Sequence, residues 1–557
     1  MTQSAAAQST RPAARRLFDR LDEFERRPGR LWLVFFGYAS VVAGFVQLVA
    51  LPYIFPELHD GHGLLIEGDW VFHHRLISEI AMRIREEGWS AWQLRPYGEH
   101  GLQAIPSLLY AAIAPEPWTL IPLHAALHAT STLLLIHILR LFVSSWRVAV
   151  IAALSFLLSP SSLITYTQIT KDAYSICGGF MFLYGWLLLA RWPEGQDRKR
   201  AIGVAALIAG GAVVTWTGRP YLVQVQTSLS AGFAALIAIR MIVLGIRRVI
   251  TPMRGVLTSA MAWVMVAMVI PLNALGGDMY LHVSPSPPEP VSPPASTVIA
   301  SADPAGRSGE ITVKSSEPAV NPGEPAVKLN APAVKASEPS VKAGDVPRPV
   351  DAARPTGGAP PVAEAASPPG AAETLRALLA PPPRATRFIA PWTASPWVPS
   401  VIDNRLYSLA RLRYRWRENV GRSTIDQDVM PASLPELAAY LPRLLVVGFL
   451  APFPSQWFET GAFASTTIMR RAVGIEMVVT YIALVGLVLG AWRWRARLEL
   501  WFLIAYGGII TLTWAFIVPN VGSLHRARFG FLMVLVALGI AGILSSPRID
   551  RMVRVRR

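Results

Sequence analysis

The side chains best suited to chemistry fall in three short stretches. The first is Glu67-Gly68-Asp69, followed by Trp70, Phe72, His73 and His74. The second is Lys171-Asp172, with Arg219 further on. The third is Asn520-Val521-Gly522-Ser523-Leu524-His525-Arg526-Ala527-Arg528. Asp69 stands at the head of a helical pattern ending at Glu87. Leu76, Ile77, Ile80 and Ile84 mark one face; Arg75, Glu79, Arg83 and Glu86 lie off it. Asp is favoured at such a position as an N-cap, because its carboxylate accepts from free backbone N–H groups. A carboxylate fixed in this way also suits a general base that takes a proton from an attacking hydroxyl. Glu67 adds a second carboxylate, for an acceptor or a divalent cation. Mg²⁺ keeps several waters and needs few protein ligands, so the two residues leave the metal requirement open. His73 and His74 are adjacent on the helix and diverge, so one of them at most faces what Asp69 faces. Neither has the further spaced ligands of a zinc site.

The cations call for an anion. A phosphate needs donors around its oxygens, and the arginine fork supplies them. Lys171, Arg219, Arg526 and Arg528 are the candidates, with His525 as a further donor. Asp172 is the ready partner of Lys171. The plainer reading of each cation is headgroup contact or snorkelling.

These residues are embedded in an apolar chain. Of 557 residues, 52% are hydrophobic and 16% charged, well below the quarter charged in soluble domains. Apolar runs long enough to cross a bilayer recur, and about ten are expected. They cover 31–55, 118–143, 148–166, 173–190, 201–217, 221–244, 256–275, 473–491, 498–518 and 529–544. The fold class expected is an all-α polytopic membrane protein, with amphipathic helices in the first external loop, 56–117. No cleavable signal is visible in the polar, Arg-rich residues 1–30, and the first apolar run reads as a signal anchor. The single Cys177 excludes an internal disulfide and any Cys-rich metal site.

The net charge of +16 follows the same map. Arg and Lys crowd the N-terminus, the alternate short links and the tail 546–557. That asymmetry predicts both termini in the cytoplasm of a bacterial inner membrane. No nucleic-acid partner is required to explain it. The cations on the other, periplasmic side are the unexplained ones. That side carries 56–117 and a long segment, 276–470. Within it, Pro318, Pro325, Pro332 and Pro339 recur in step with Val320, Val327, Val334 and Val341. A proline in each repeat forbids a helix, so 284–383 reads as an extended, disordered spacer inside a Pro-rich segment, 276–400. Beyond it, 401–470 reads as interfacial. Leu406, Leu409, Leu412 and Trp416 share a face there, with Arg411, Arg413, Arg415 and Arg417 around it. Residues 471–545 return to the membrane.

The Glu67-x-Asp69 motif after the first span, with its aromatic and His-containing helix ending in Glu87-Gly88-Trp89, resembles the first external loop of GT-C superfamily glycosyltransferases. Lys171-Asp172 and the turn from Asn520 to Arg528 are similar in style to bacterial members directed at proteins or lipids. The likeness spans 31–275 and 434–544. It implies transfer of a sugar from a polyprenyl-phosphate donor to a glycan, lipid or protein hydroxyl on the periplasmic face, with inversion. Asp69 would be the base. Glu67, His73, His74, Lys171, Asp172, Arg219, His525, Arg526 and Arg528 would bind substrate. The Pro-rich segment departs from the pattern, as does the lack of a folded external domain. No Gly-rich nucleotide loop is present, which disfavours a nucleotide-sugar donor. The rival readings are a transporter or flippase for a lipid-linked substrate, and a non-catalytic partner in envelope assembly.

Overall fold

Hydrocarbon offers no partner to backbone N–H and C=O groups, so an apolar segment crosses it as a helix that closes its own bonds. The computed structural model describes residues 23–66, 68–94, 101–191, 198–275, 392–416, 423–461 and 464–545. Among them, nine helices are long and apolar enough to cross a membrane, or up to ten if one bent pair counts as a span. The chain is an all-α, multi-pass membrane protein. The Pro-rich stretch and Glu67 lie outside the described residues.

Helix α1, Pro28–Phe45, continues as the π-helical Val46–Ile54. A two-stranded hairpin follows, β1 (His59–Gly61) with β2 (Leu64–Leu65). Next come α2, Asp69–Glu87, and α3, Ala104–Ala112. Helix α2 buries Trp70, His73, Ile77, Ile80, Ala81 and Ile84. That is the apolar face its periodicity predicts, with Leu76 at the edge. The bundle proper comprises α4 (Ile121–Arg140), α5 (Trp146–Leu157), α6 (Pro160–Thr167), α7 (Lys171–Ala190), α8 (Arg198–Gly218), α9 (Pro220–Ile246) and α10 (Pro252–Leu275). After the long segment come α11 (Ser400–Trp416), α12 (Leu434–Leu450), α13 (Ala464–Trp494), α14 (Leu498–Ile517) and α15 (Val521–Leu544).

Two departures from the expected spans bear on the site. Residues 148–166 are not one straight helix: α5 and α6 meet at 65°. Pro160 has no N–H to continue the ladder, and the Ser159 hydroxyl caps α6 by accepting from Ser162 N at 3.2 Å. The last helix begins at Val521 and not at 529. The Asn520 side chain caps it, accepting from Ser523 N at 3.1 Å. His525, Arg526 and Arg528 therefore project from a helix, where the sequence reading has a turn.

Two of the spans, α7 and α15, are mostly enclosed by their neighbours. They carry Lys171-Asp172 and Arg526. Other spans leave apolar faces exposed, including Val41, Ile242, Val485 and Val488, as suits contact with lipid. Small residues let α7 and α8 approach closely. A Cβ on Gly178 would stand 2.5 Å from Gly211 O, and one on Gly211 would stand 2.5 Å from Phe182 N. This contact brings the end of α8, and Arg219 beyond it, to the start of α7. Gly211→Val should therefore destabilise the protein by about 1–3 kcal/mol through overpacking. The check is the midpoint of thermal inactivation in detergent, which should fall relative to wild type and to Gly203→Val, whose Cβ meets nothing within 4 Å.

Candidate functional site

Asp69 is the first residue of α2, after the extended Gly68. Gly68 is the N-cap, so Asp69 stands one place inside the helix and is not the cap that its residue type suggests. Both of its carboxylate oxygens accept from Arg526 on α15: Nη1 to Oδ1 at 2.8 Å and Nη2 to Oδ2 at 3.0 Å. Lys171 Nζ lies 3.9 Å from Oδ2. Asp172, beside it, is bound by Arg219, with Nε at 2.8 Å and Nη2 at 2.5 Å from Oδ1. Arg526 Nε stands 3.8 Å from the other Asp172 oxygen. Four distant parts of the chain thus meet at one end of the bundle. Among the described residues of this cluster, three cations face two carboxylates, which leaves one positive charge.

The members differ in freedom. Asp172 and Arg219 side chains are each 4% exposed, whereas Asp69 is 28% and Arg526 36% exposed. Arg219 also packs over the Trp514 ring at 4.9 Å and donates to the Tyr221 hydroxyl. Lys171 occupies the first turn of α7, the helix end whose dipole disfavours a cation. The two carboxylates offset that cost. Burial works to raise the Asp69 pKa, but Arg526, Lys171 and His73 outweigh it and hold the group below the usual carboxylate range. Asp69 is ionised at neutral pH.

His73 lies one turn along α2, its Nε2 3.9 Å from Asp69 Oδ2. Gln103 Nε2 donates to its Nδ1 at 3.4 Å. A neutral ring with Nδ1 accepting carries its proton on Nε2, and that buried nitrogen has no hydrogen-bond partner. His74 faces elsewhere: its Nδ1 pairs with the Tyr110 hydroxyl at 2.9 Å, and its ring stands 5.0 Å from that of His62.

Of the α15 residues, only Arg526 joins the cluster. His525 Nε2 meets Ser161 Oγ at 2.9 Å and Glu476 Oε1 at 3.5 Å. Glu476 Oε2 accepts from Ser161 N at 3.2 Å, in the first turn after the α5–α6 bend. Arg528 is fully buried. Its guanidinium donates to the carbonyls of Val447, Gly448 and Ala451, where α12 ends. Residues two apart on a helix point to different sides, so Arg526 and Arg528 do not share a ligand, contrary to the sequence reading. Glu67 lies outside the described residues. Among those described, no group of three or more His, Cys, Asp or Glu is placed to hold a metal.

Two cavities flank the Asp69–Arg526 pair. One, of about 440 Å³, is lined by Asp69, Trp70, Ser161, Glu459, Arg470, Asn520, His525 and Phe529. The other, of about 430 Å³, is lined by Lys171, Arg219, Arg415 and a largely apolar wall with Leu222, Leu409, Leu412, Trp416 and Trp514. Ser523 and Arg526 line both. Leu409, Leu412 and Trp416 come from the amphipathic face expected of 405–417. Arg413, expected at the rim of that face, is buried: it donates to the carbonyls of Val429 at 2.7 Å, Phe516 at 2.6 Å and Asp426 at 2.6 Å.

Gln103, Ser161, Trp514 and the buried role of Arg413 have no local signal in the sequence. Each acts through a partner far along the chain. No known family model, curated protein or solved structure matches this chain.

Burial pushes the His73 pKa down to about 4, against the pull of Asp69. Its folded value lies below its unfolded one, so the unfolded chain takes the proton first and acid destabilises the fold. The stability that His73 contributes should be full above 6.5 and decline as pH falls toward about 4. Melting temperatures across that range should fall less steeply in His73→Gln than in wild type.

Proposed function

We propose that this protein is an integral-membrane glycosyltransferase of GT-C type, moving a sugar from a polyprenyl-phosphate donor to an acceptor hydroxyl. The observation that carries the reading is the meeting of Asp69 with Lys171, Arg219 and Arg526 between two cavities at one end of the span bundle. One side offers a carboxylate and the other a set of cations. In-line sugar transfer needs both at once.

The donor phosphate sits in the second cavity, against Lys171, Arg219 and Arg526, with its prenyl chain along the apolar wall. The acceptor occupies the first cavity, its hydroxyl beside Asp69. The oxygen attacks the anomeric carbon while Asp69 takes its proton. The bond from that carbon to the phosphate oxygen breaks, and the electron pair stays with the phosphate. The anomeric centre inverts. Charge supports this arrangement. The cluster's single positive surplus complements a phosphodiester donor. Once Asp69 is protonated the surplus is two, which complements the phosphate monoester that leaves.

Orientation follows from the basic residues. Arg140, Arg147, Arg247, Arg248, Arg254, Arg493, Arg495 and Arg497 all lie at span ends away from Asp69. By the positive-inside rule that end is cytoplasmic. Asp69 would then face the periplasm of a bacterial inner membrane, with both termini cytoplasmic.

The test is a panel of polyprenyl-phosphate sugars, with acceptor-bearing membrane extract, given to the purified protein in nanodiscs. Release of polyprenyl phosphate should fall about 10²–10⁴-fold in Asp69→Asn, the usual worth of a general base, while donor binding persists. Transfer at the wild-type rate by Asp69→Asn would remove the assignment of the base. Accumulation of substrate in vesicles without a covalent product would favour a transporter instead.

A further inference from the structure

Asp69 is poorly placed for its proposed task in one respect. Both of its oxygens already accept from Arg526, at 2.8 and 3.0 Å. A carboxylate held end-on by both terminal nitrogens of a guanidinium is kept ionised, but one lone pair on each oxygen is taken and the pairing makes it a weaker base.

Arg526 is also the member of the cluster best able to move. Its side chain is 36% exposed, while Asp172 and Arg219 are locked at 4% each. Its Nε approaches Asp172 only to 3.8 Å, too far for a hydrogen bond. It borders both cavities, whereas Asp69 borders the first alone and Lys171 and Arg219 border the second alone. An anion entering the second cavity therefore meets one guanidinium bound to a buried carboxylate and one that bridges to the base.

We infer that a phosphate in the second cavity draws Arg526 off Asp69, so that the base is freed only when the donor is seated. The inference rests on the transferase reading. Before donor arrives, the positive charge of Arg526 is spent on Asp69. The phosphate of the donor competes for the same nitrogens and has Lys171 and Arg219 to assist it. Asp69 then exchanges a guanidinium for the acceptor hydroxyl. As the proton moves onto Asp69 and the electron pair onto the phosphate, the negative charge that Asp69 gives up appears on the phosphate that Arg526 already holds.

The experiment uses the full chain in nanodiscs of zwitterionic lipid. A long-chain polyprenyl monophosphate is added, with a neutral polyprenol as control. Retention of each is measured by radiolabel. Infrared difference spectra follow the carboxylate stretch of Asp69, identified by its loss in Asp69→Asn. The expected result is that the phosphate is retained, the polyprenol is not held at the same site, and the Asp69 band shifts from its guanidinium-bound position. In Arg526→Gln the band should sit near the shifted position from the start and not respond to the lipid, and retention should weaken by about tenfold, the loss of one charge-assisted contact. Retention with no shift of the Asp69 band in wild type overturns the inference and leaves the donor assignment intact. No retention of the phosphate overturns the donor assignment, and the inference with it. The wild-type comparison decides even where Arg526→Gln fails to fold.

Discussion

A guanidinium buried at the edge of an apolar bundle needs acceptors for its donors, and a carboxylate that also offsets its charge is the strongest of them. The Asp172–Arg219 pair satisfies that constraint, with both side chains almost wholly enclosed. It fixes the start of α7 against the junction of α8 and α9. Lys171 is carried by the same turn as Asp172, so the pair sets where that ammonium stands. The adaptable contacts around Asp69 are built on this inflexible one.

Arginine serves three distinct purposes within a small region. Arg219 neutralises a buried carboxylate. Arg413 and Arg528 hold no carboxylate by hydrogen bond and donate to backbone carbonyls, clasping α14, α12 and the segment between α11 and α12. The last carbonyls of a helix lack partners within it, and a buried helix end needs donors from elsewhere. Of these four arginines, Arg526 alone combines exposure with a carboxylate partner. Residue type did not separate these roles; the direction in which each side chain leaves its helix did.

This explains what was legible in the chain and what was not. The membrane class is written in the length of the apolar runs. Helix α2 is written in the spacing of Ile77, Ile80 and Ile84. The nearness of Asp69 to Lys171 and Arg526 was only an expectation, because no local pattern encodes a contact between residues hundreds of positions apart. Gly522, Ser523, His525 and Arg526 look like a polar turn, which places the start of the last span too late. The Asn520 cap was visible there as a residue type, but its use as a cap depended on the packing of α15. A turn would let Arg526 and Arg528 act together, whereas the helix separates them. The kink at Pro160 was visible in principle, since Ser-Pro is a strong helix start.

The bidentate pairing of Asp69 has a consequence for the idle protein. The first cavity borders Asp69 and carries enough polar side chains to hold water. On the proposed reading, a bare carboxylate beside that water would activate it as it would an alcohol, and its pairing with Arg526 would guard a lipid-linked sugar against hydrolysis while the proper acceptor is absent.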